Sequence, residues 1–244
     1  RDGAGRALGV VSDVYELPAG LAIEVQGAGR EFILPWRPEF VHQLRRDGFG
    51  VAALLTTITE GYERVSMHGV RRELVRRQAA ATGVRLVEVT IPPDCVNATY
   101  EEQMAAAFGR PPLDGIAAMA SGDLFLEDVR AYREERLAAA GKDALFPLWG
   151  RDTTTLAHEF VEAGFEAVVC CLDPRKLDVS FAGRSYDAEF LADLPEDVDP
   201  CGERGEFHTF VHAGPVLAAP VDVSVGETVE RDGFVFCDLL ARGG

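Results

Sequence analysis

Between Glu39 and Leu172 short apolar runs alternate with longer amphipathic stretches, and this alternation constrains the fold more than any other feature of the chain. The runs Val51–Thr57, Leu86–Thr90, Gly115–Ala120 and Ala167–Leu172 are rich in residues that suit strands. Between them, helical patterns cover Glu39–Asp47, Val70–Thr82, Tyr100–Phe108, Leu124–Ala140 and Thr153–Ala163. Gly48, Gly83, Gly141 and Gly164 stand where these helices end, and Asp152 stands where the last one begins. Strands apolar throughout, rather than at every second position, are expected to be buried on both faces. The sequence therefore predicts an α/β fold: a parallel sheet with helices on both sides.

The two ends read differently. Gly9–Tyr15, Leu21–Gln26 and Glu31–Leu34 are separated by Pro18-Ala19-Gly20 and Gly27-Ala28-Gly29, the pattern of a small antiparallel meander. The last eighty or so residues hold a short helix near Asp187–Leu194 and a Gly-rich turn at Cys201–Gly205. Strand-like runs follow at Phe207–Val211, Val221–Val225 and Val235–Leu239, forming a small α+β region.

Composition removes several functions. Forty acidic against twenty-four basic residues leave a net charge of −16, which repels a bare phosphate backbone, so no direct nucleic-acid partner is expected. No apolar run approaches the roughly 18–20 residues of a membrane span. The five cysteines (Cys95, Cys170, Cys171, Cys201 and Cys237) form no CxxC pair and are odd in number. They read as reduced thiols of a cytoplasmic protein. Lys142 and Lys176 are the two lysines, so a phosphate-gripping or Schiff-base lysine has two candidates. No GxxxxGK[ST] phosphate loop occurs.

In an open parallel sheet a ligand settles outside the carboxyl ends of the strands. Those ends are Thr56-Thr57, Ser121-Gly122-Asp123 and Asp173, which should line one rim. Asp123 is placed there either to hold a magnesium ion or to cap the following helix. Most of the charge run from Glu127 to Glu135 reads as a solvated helix face. Ser66-Met67-His68-Gly69 precedes a helix with Arg71 and Arg72, a place where free amides and arginines can accept an anion.

The densest polar cluster is Asp199-Pro-Cys-Gly-Glu203-Arg-Gly205-Glu206-Phe-His208-Thr-Phe210-Val-His212. Two glycines bracket Glu203 and allow close backbone approach to a ligand. On a strand, Glu206, His208, Phe210 and His212 share one face. A carboxylate beside an imidazole suits acid–base work or metal binding, and equally a half-buried strand with a satisfied histidine.

These segments, in this order, resemble the diphthine–ammonia ligase family, ATP-binding enzymes of the PP-loop (N-type ATP pyrophosphatase) superfamily. The resemblance runs from about His42 to Leu239. It is carried by LRRDGFGVAALLTTITEGYERVSMHGVRREL, SGDLFLEDVRAYREERL, LFPLWGRDTTTLAHEFVEAGFEAVVCCLD, DPCGERGEFHTFVHAGP and ETVERDGFVFCDL. It implies a five-stranded parallel sheet and a smaller carboxy-terminal region. It divides the chain into a meander over 1–38, an α/β nucleotide-binding domain over 39–180 and a substrate region over 181–244. It also implies activation of a carboxylate by ATP as an acyl-adenylate, release of pyrophosphate, and attack by ammonia to form an amide. The acceptor would be diphthine, a modified histidine of translation elongation factor two.

On that resemblance Thr56, Thr57, His68, Gly122 and Arg151 are expected at ATP. Arg133, Glu203 and Gly205 are expected at the acceptor substrate, and Asp123, Glu206 and His208 in catalysis, with Asp123 also toward Mg2+. The family begins with a strand and a Ser-Gly-Gly-Lys-Asp-Ser loop that grips pyrophosphate; here Phe32–Trp36 runs directly into Arg37–Asp47 and the loop is absent. Residues from Gly5 to about Val41 look instead like part of the PRC-barrel of a ribosome maturation factor. That leaves a second reading open: a non-catalytic binding module or degenerate ligase scaffold, with a ribosomal partner implied.

Overall fold

The computed structural model describes residues 22–27, 30–33, 53–115 and 118–242. The meander strand at Gly9–Tyr15 and the helix at Glu39–Asp47 lie outside the described residues. Within them the chain is a mixed α/β protein. No described helix is long and apolar enough to cross a membrane.

The helices begin and end where local chemistry dictates. Strand β3 (Ala53–Thr59) leads through a two-residue strand β4 (Arg64–Val65) to helix α1 (Arg72–Thr82) and strand β5 (Arg85–Ile91). Gly83 ends α1 in the left-handed region, at φ 71°. Helix α2 (Asn97–Phe108), strand β6 (Ala118–Ala120), helix α3 (Glu127–Ala139) and strand β7 (Asp143–Leu145) follow. Helix α4 (Thr153–Glu162) starts at Asp152, whose side chain accepts a 2.7 Å bond from the Thr155 amide. Helix α3 starts three residues later than its apolar pattern predicts. Leu124, ahead of the helix, is fully buried, and its amide donates to Glu203 from the tail at 2.7 Å.

Among the described residues the single large parallel sheet expected from the apolar runs is not seen. The described strands make three smaller sheets. The first holds β3 at its centre, with β5 parallel on one side over seven residue pairs, from Ala53↔Arg85 to Thr59↔Ile91. On the other side lie β1 (Ala22–Gly27), antiparallel, and β2 (Arg30–Ile33), parallel through Ile33↔Ala53. The second sheet is β6 beside β7, in parallel register. Strand β2 also approaches β6, so the meander strand stands between the two sheets.

The third sheet accounts for the correction. Strand β8 (Glu166–Leu172) is buried along all but its first residue. Its neighbours are strand β9 (Phe207–Ala213) and strand β11 (Phe234–Ala241), both antiparallel to it. Strand β10 (Val223–Arg231) completes the order β10-β11-β8-β9. The continuous apolar run records burial on both faces and says nothing of direction. Helix α5 (Ala188–Asp193) covers this sheet through Phe190, which is fully buried and packs edge-on to Phe207 and Phe181 with ring centroids 5.3 and 5.5 Å apart.

Candidate functional site

The carboxyl ends of the parallel pair β3 and β5 open into a cleft of about 350 Å3. That is within the range of about 300–1,000 Å3 typical of small-molecule sites. Its floor is Thr57, Thr59 and Ile91; one side is the β3–α1 loop with Tyr62, Arg64 and His68; the other is Pro92 to Asn97. The tip of the β10–β11 hairpin closes it with Arg231, Phe234 and Phe236. The loop is pinned to the strand end: the Ser66 amide donates to the Thr57 carbonyl at 3.1 Å, and the Ser66 and Thr59 hydroxyls are 3.0 Å apart.

The hairpin is held over the cleft by one carboxylate. Asp238 accepts from Arg64 at 2.9 Å and from Arg71 at 3.0 and 2.6 Å. Burial by itself would raise the Asp238 carboxyl, but bonds from Arg71 and Arg64 outweigh it and hold the group below the usual carboxylate range. The contact also explains Gly69. Its φ is +67°, and a Cβ there would stand 2.5 Å from Cδ1 of Phe236. The Ser-Met-His-Gly motif thus serves the seating of the hairpin.

The sequence-singled residues fall into three places. Thr57 and His68 line the cleft. Thr56 lies midway along β3 and Ser121 just past the end of β6; both are buried, and among the described residues neither hydroxyl has a hydrogen-bond partner. Two such buried hydroxyls carry an unmet polar demand that a ligand oxygen can satisfy. Gly122, also buried, follows Ser121 past the end of β6.

Asp123, expected toward Mg2+, is instead the ion-pair partner of Arg133, with Nε to Oδ2 at 2.9 Å and both side chains at least 96% buried. The pair consumes Arg133 as well, which was expected at the acceptor substrate. Arg151 lies elsewhere on the surface and donates to Glu159 at 2.6 Å. Asp173 is gripped by Arg175 through two 2.8 Å bonds; these hold its carboxyl below the ordinary range against the opposing pull of burial.

The tail cluster is a self-bonded turn. Asp199 accepts from the amides of Cys201 and Glu203 at 3.2 and 2.9 Å. Glu206 accepts from those of Asp199 and Arg204 at 3.2 and 2.9 Å. The close approach that Gly202 permits is to the chain itself: a Cβ there would lie 2.6 Å from the Phe207 carbonyl oxygen. Gly205, with φ +77°, turns the chain beside the Lys176 ammonium. Glu203 reaches out of this turn and accepts from the Leu124 amide at 2.7 Å. The tail turn is thereby docked on the residue after Asp123, so Asp123 and the Glu203–Glu206 turn lie on the same side of the molecule.

His208 is buried, and its ring lies 4.4 Å from that of His68, centroid to centroid. This pair joins the tail turn to the inner wall of the cleft. His212 does not share that environment. The register slips there, with Glu166 opposite Ala213 and Ala167 opposite Val211, so His212 is the additional residue of a bulge. Burial lowers the His212 pKa, opposed by the charge of Glu166.

Both lysines are engaged away from the cleft. Lys142 is buried, donating to the Leu113 carbonyl over the Phe108 ring, and Lys176 donates to the Arg204 carbonyl. Sequence reasoning missed Arg64, Asp238 and Arg231. The signal for the last was present: Asp232-Gly233, with φ 54° and 80°, is a two-residue hairpin turn between strand-like runs.

Fold and site together define a mixed α/β protein with a cleft at parallel strand ends, bounded by a hairpin from an antiparallel sheet. Residues 152–239, which contain that antiparallel sheet and the tail turn, match the family model of the diphthamide synthase C-terminal domain. For this part of the chain the match supports a diphthine–ammonia ligase-like, diphthamide-biosynthesis family. No curated protein matches the chain.

Proposed function

We propose that the protein is an ATP-dependent amide-forming ligase of the diphthine–ammonia ligase type. The observation that carries this reading is the meeting of two features. The buried hydroxyls of Thr56 in β3 and Ser121 after β6 have no hydrogen-bond partner among the described residues, and the matched tail segment docks just past β6 through the bond from the Leu124 amide to Glu203.

In the reaction an acceptor carboxylate oxygen attacks the α-phosphorus of ATP, and the bond to pyrophosphate breaks. Ammonia then attacks the acyl carbon, AMP leaves, and the nitrogen loses a proton. Thr56, Ser121 and Gly122 would meet phosphate oxygens. The His68–His208 pair would take the proton released from nitrogen. Glu206, committed to two backbone amides, holds the turn in place and is assigned no proton. Mg2+ would accompany the ATP phosphates and neutralise the pyrophosphate charge. Asp123 does not fit as its ligand, because the Arg133 ion pair occupies its carboxylate.

A second reading is favoured by one observation: the sequence from Phe32 to Asp47 holds no Ser-Gly-Gly-Lys-Asp-Ser loop, and neither lysine faces the cleft. On it the chain binds nucleotide without turnover. Titration with ATP and Mg2+, followed by ATP–pyrophosphate exchange in the presence of acceptor, decides between them. Binding with exchange supports the ligase; binding without exchange supports the scaffold; no binding rejects both.

A further inference from the structure

A buried amide away from the cleft links the two segments that carry the histidine pair. Gln78 lies on α1, the helix that follows the His68 loop, and is 1% exposed. Its Nε2 donates at 2.6 Å to the carbonyl of Val211, which shares strand β9 with His208. Its Oε1 has no hydrogen-bond partner among the described residues. The other buried residues of α1 are Leu74, Val75, Ala79 and Thr82, so the amide sits among mainly apolar neighbours. Burying an amide with one polar end unmet costs stability that a methionine of similar length would not. What the amide adds is direction, because a hydrogen bond fixes both a distance and an angle.

That direction is needed on β9. Its pairing with β8 slips twice, between Val169 and Cys171 on one strand and at His212 on the other, and Thr209–Val211 lies between the two slips. A bulge bends and twists a strand, so the aim of His208 depends on what else holds this segment. We infer that Gln78 is a positioning residue: by tying Val211 to α1 it sets β9 so that the His208 ring meets the His68 ring. Gln78 is not among the residues that line the cleft, so it acts through the pair. The inference rests on the ligase reading above, in which the pair takes the proton released from nitrogen, and adds the residue that keeps the pair together.

The test compares the full chain with Q78M by nuclear magnetic resonance, thermal melting and two assays of the reaction. The two rings are 4.4 Å apart, so wild type is expected to show a nuclear Overhauser effect between their ring protons, and Q78M to lose it. Q78M is expected to melt at or above the wild-type temperature. Its ATP–pyrophosphate exchange in the presence of acceptor is expected to match wild type, whereas amide formation with ammonia falls at least about tenfold, as misplacing a general base implies. The inference is overturned if wild type shows no effect between the rings or if Q78M retains it. It also fails if exchange and amide formation fall together, or if Q78M does not fold or melts well below wild type, since the bond then serves the fold. Failure of the ligase reading looks different: wild type then shows no exchange, while the contact between the rings and its loss in Q78M remain.

Discussion

Replacing Asp123 by alanine strands the Arg133 guanidinium in the interior. The two side chains are 3% and 4% exposed, and Nε and Oδ2 are 2.9 Å apart. Removing one member of a buried ion pair costs about 3–5 kcal/mol, because the survivor keeps its desolvation penalty and loses its partner. R133M should cost a similar amount by leaving the carboxylate. The double variant D123A/R133M loses both charges together, and its cost should fall short of the summed single costs by about 1–3 kcal/mol. In urea, with a slope of about 3 kcal/mol per M, each single variant shifts the midpoint down by about 1–1.7 M. The measurement is a set of four unfolding curves, with ATP affinity recorded for each variant still folded. A D123A that unfolds with wild type and loses only magnesium-dependent nucleotide binding would refute the reasoning. Such a result would return Asp123 to the role the sequence suggested.

Four further outcomes are expected. G69A should lose about 2–4 kcal/mol, combining a left-handed backbone with overpacking against Phe236, and G69A/F236L should recover part of it in thermal melts. D238N should be less stable than wild type at neutral pH. The folded Asp238 pKa lies below its unfolded value of about 3.9, so the difference persists above that pH and shrinks below it, as unfolding at pH 2.5–7 will show. His212 is depressed by burial, so below its unfolded value of about 6.5 the unfolded chain takes up a proton that the folded chain refuses. Wild type should therefore lose stability from pH 6.5 downward by a margin that H212Q lacks. Burial, with the Asp173 charge, pushes the Cys171 thiol up to about 12 against the opposing influence of Arg231, so iodoacetamide at pH 8 should label the half-buried Cys95 well before Cys171.

The elements written in local chemistry were legible. Gly83, Gly141 and Gly164 adopt positive φ at or just after helix ends, and Asp152 caps α4 as its position implies. What needed the third dimension was not legible. The apolar run of β8 marks a fully buried strand, but its antiparallel direction depends on partners thirty-five and more residues later. Ser121 and Asp123 follow the end of β6 as the sequence placed them, whereas Thr56 lies inside β3, which runs on to Thr59. The Arg133 partner of Asp123 sits ten residues on, across a loop, where no helical spacing announces it. The shared face expected for Glu206 to His212 assumes an unbroken alternation, which the bulge at His212 ends. The clasp of Asp238 on Arg64 and Arg71 joins positions more than 160 residues apart, and no short motif encodes it.

The antiparallel sheet has a bearing on how the chain is made. Its inner strand β8 is synthesised early, yet it is flanked on one side by β9 and on the other by β11, which ends at Ala241. During translation, then, one edge of β8 waits uncovered until almost every residue through Ala241 has left the ribosome. The cleft shares that delay, since one of its walls arrives on the same hairpin. A nascent chain can build the strand ends that floor the cleft, but it cannot wall them in until that hairpin has emerged.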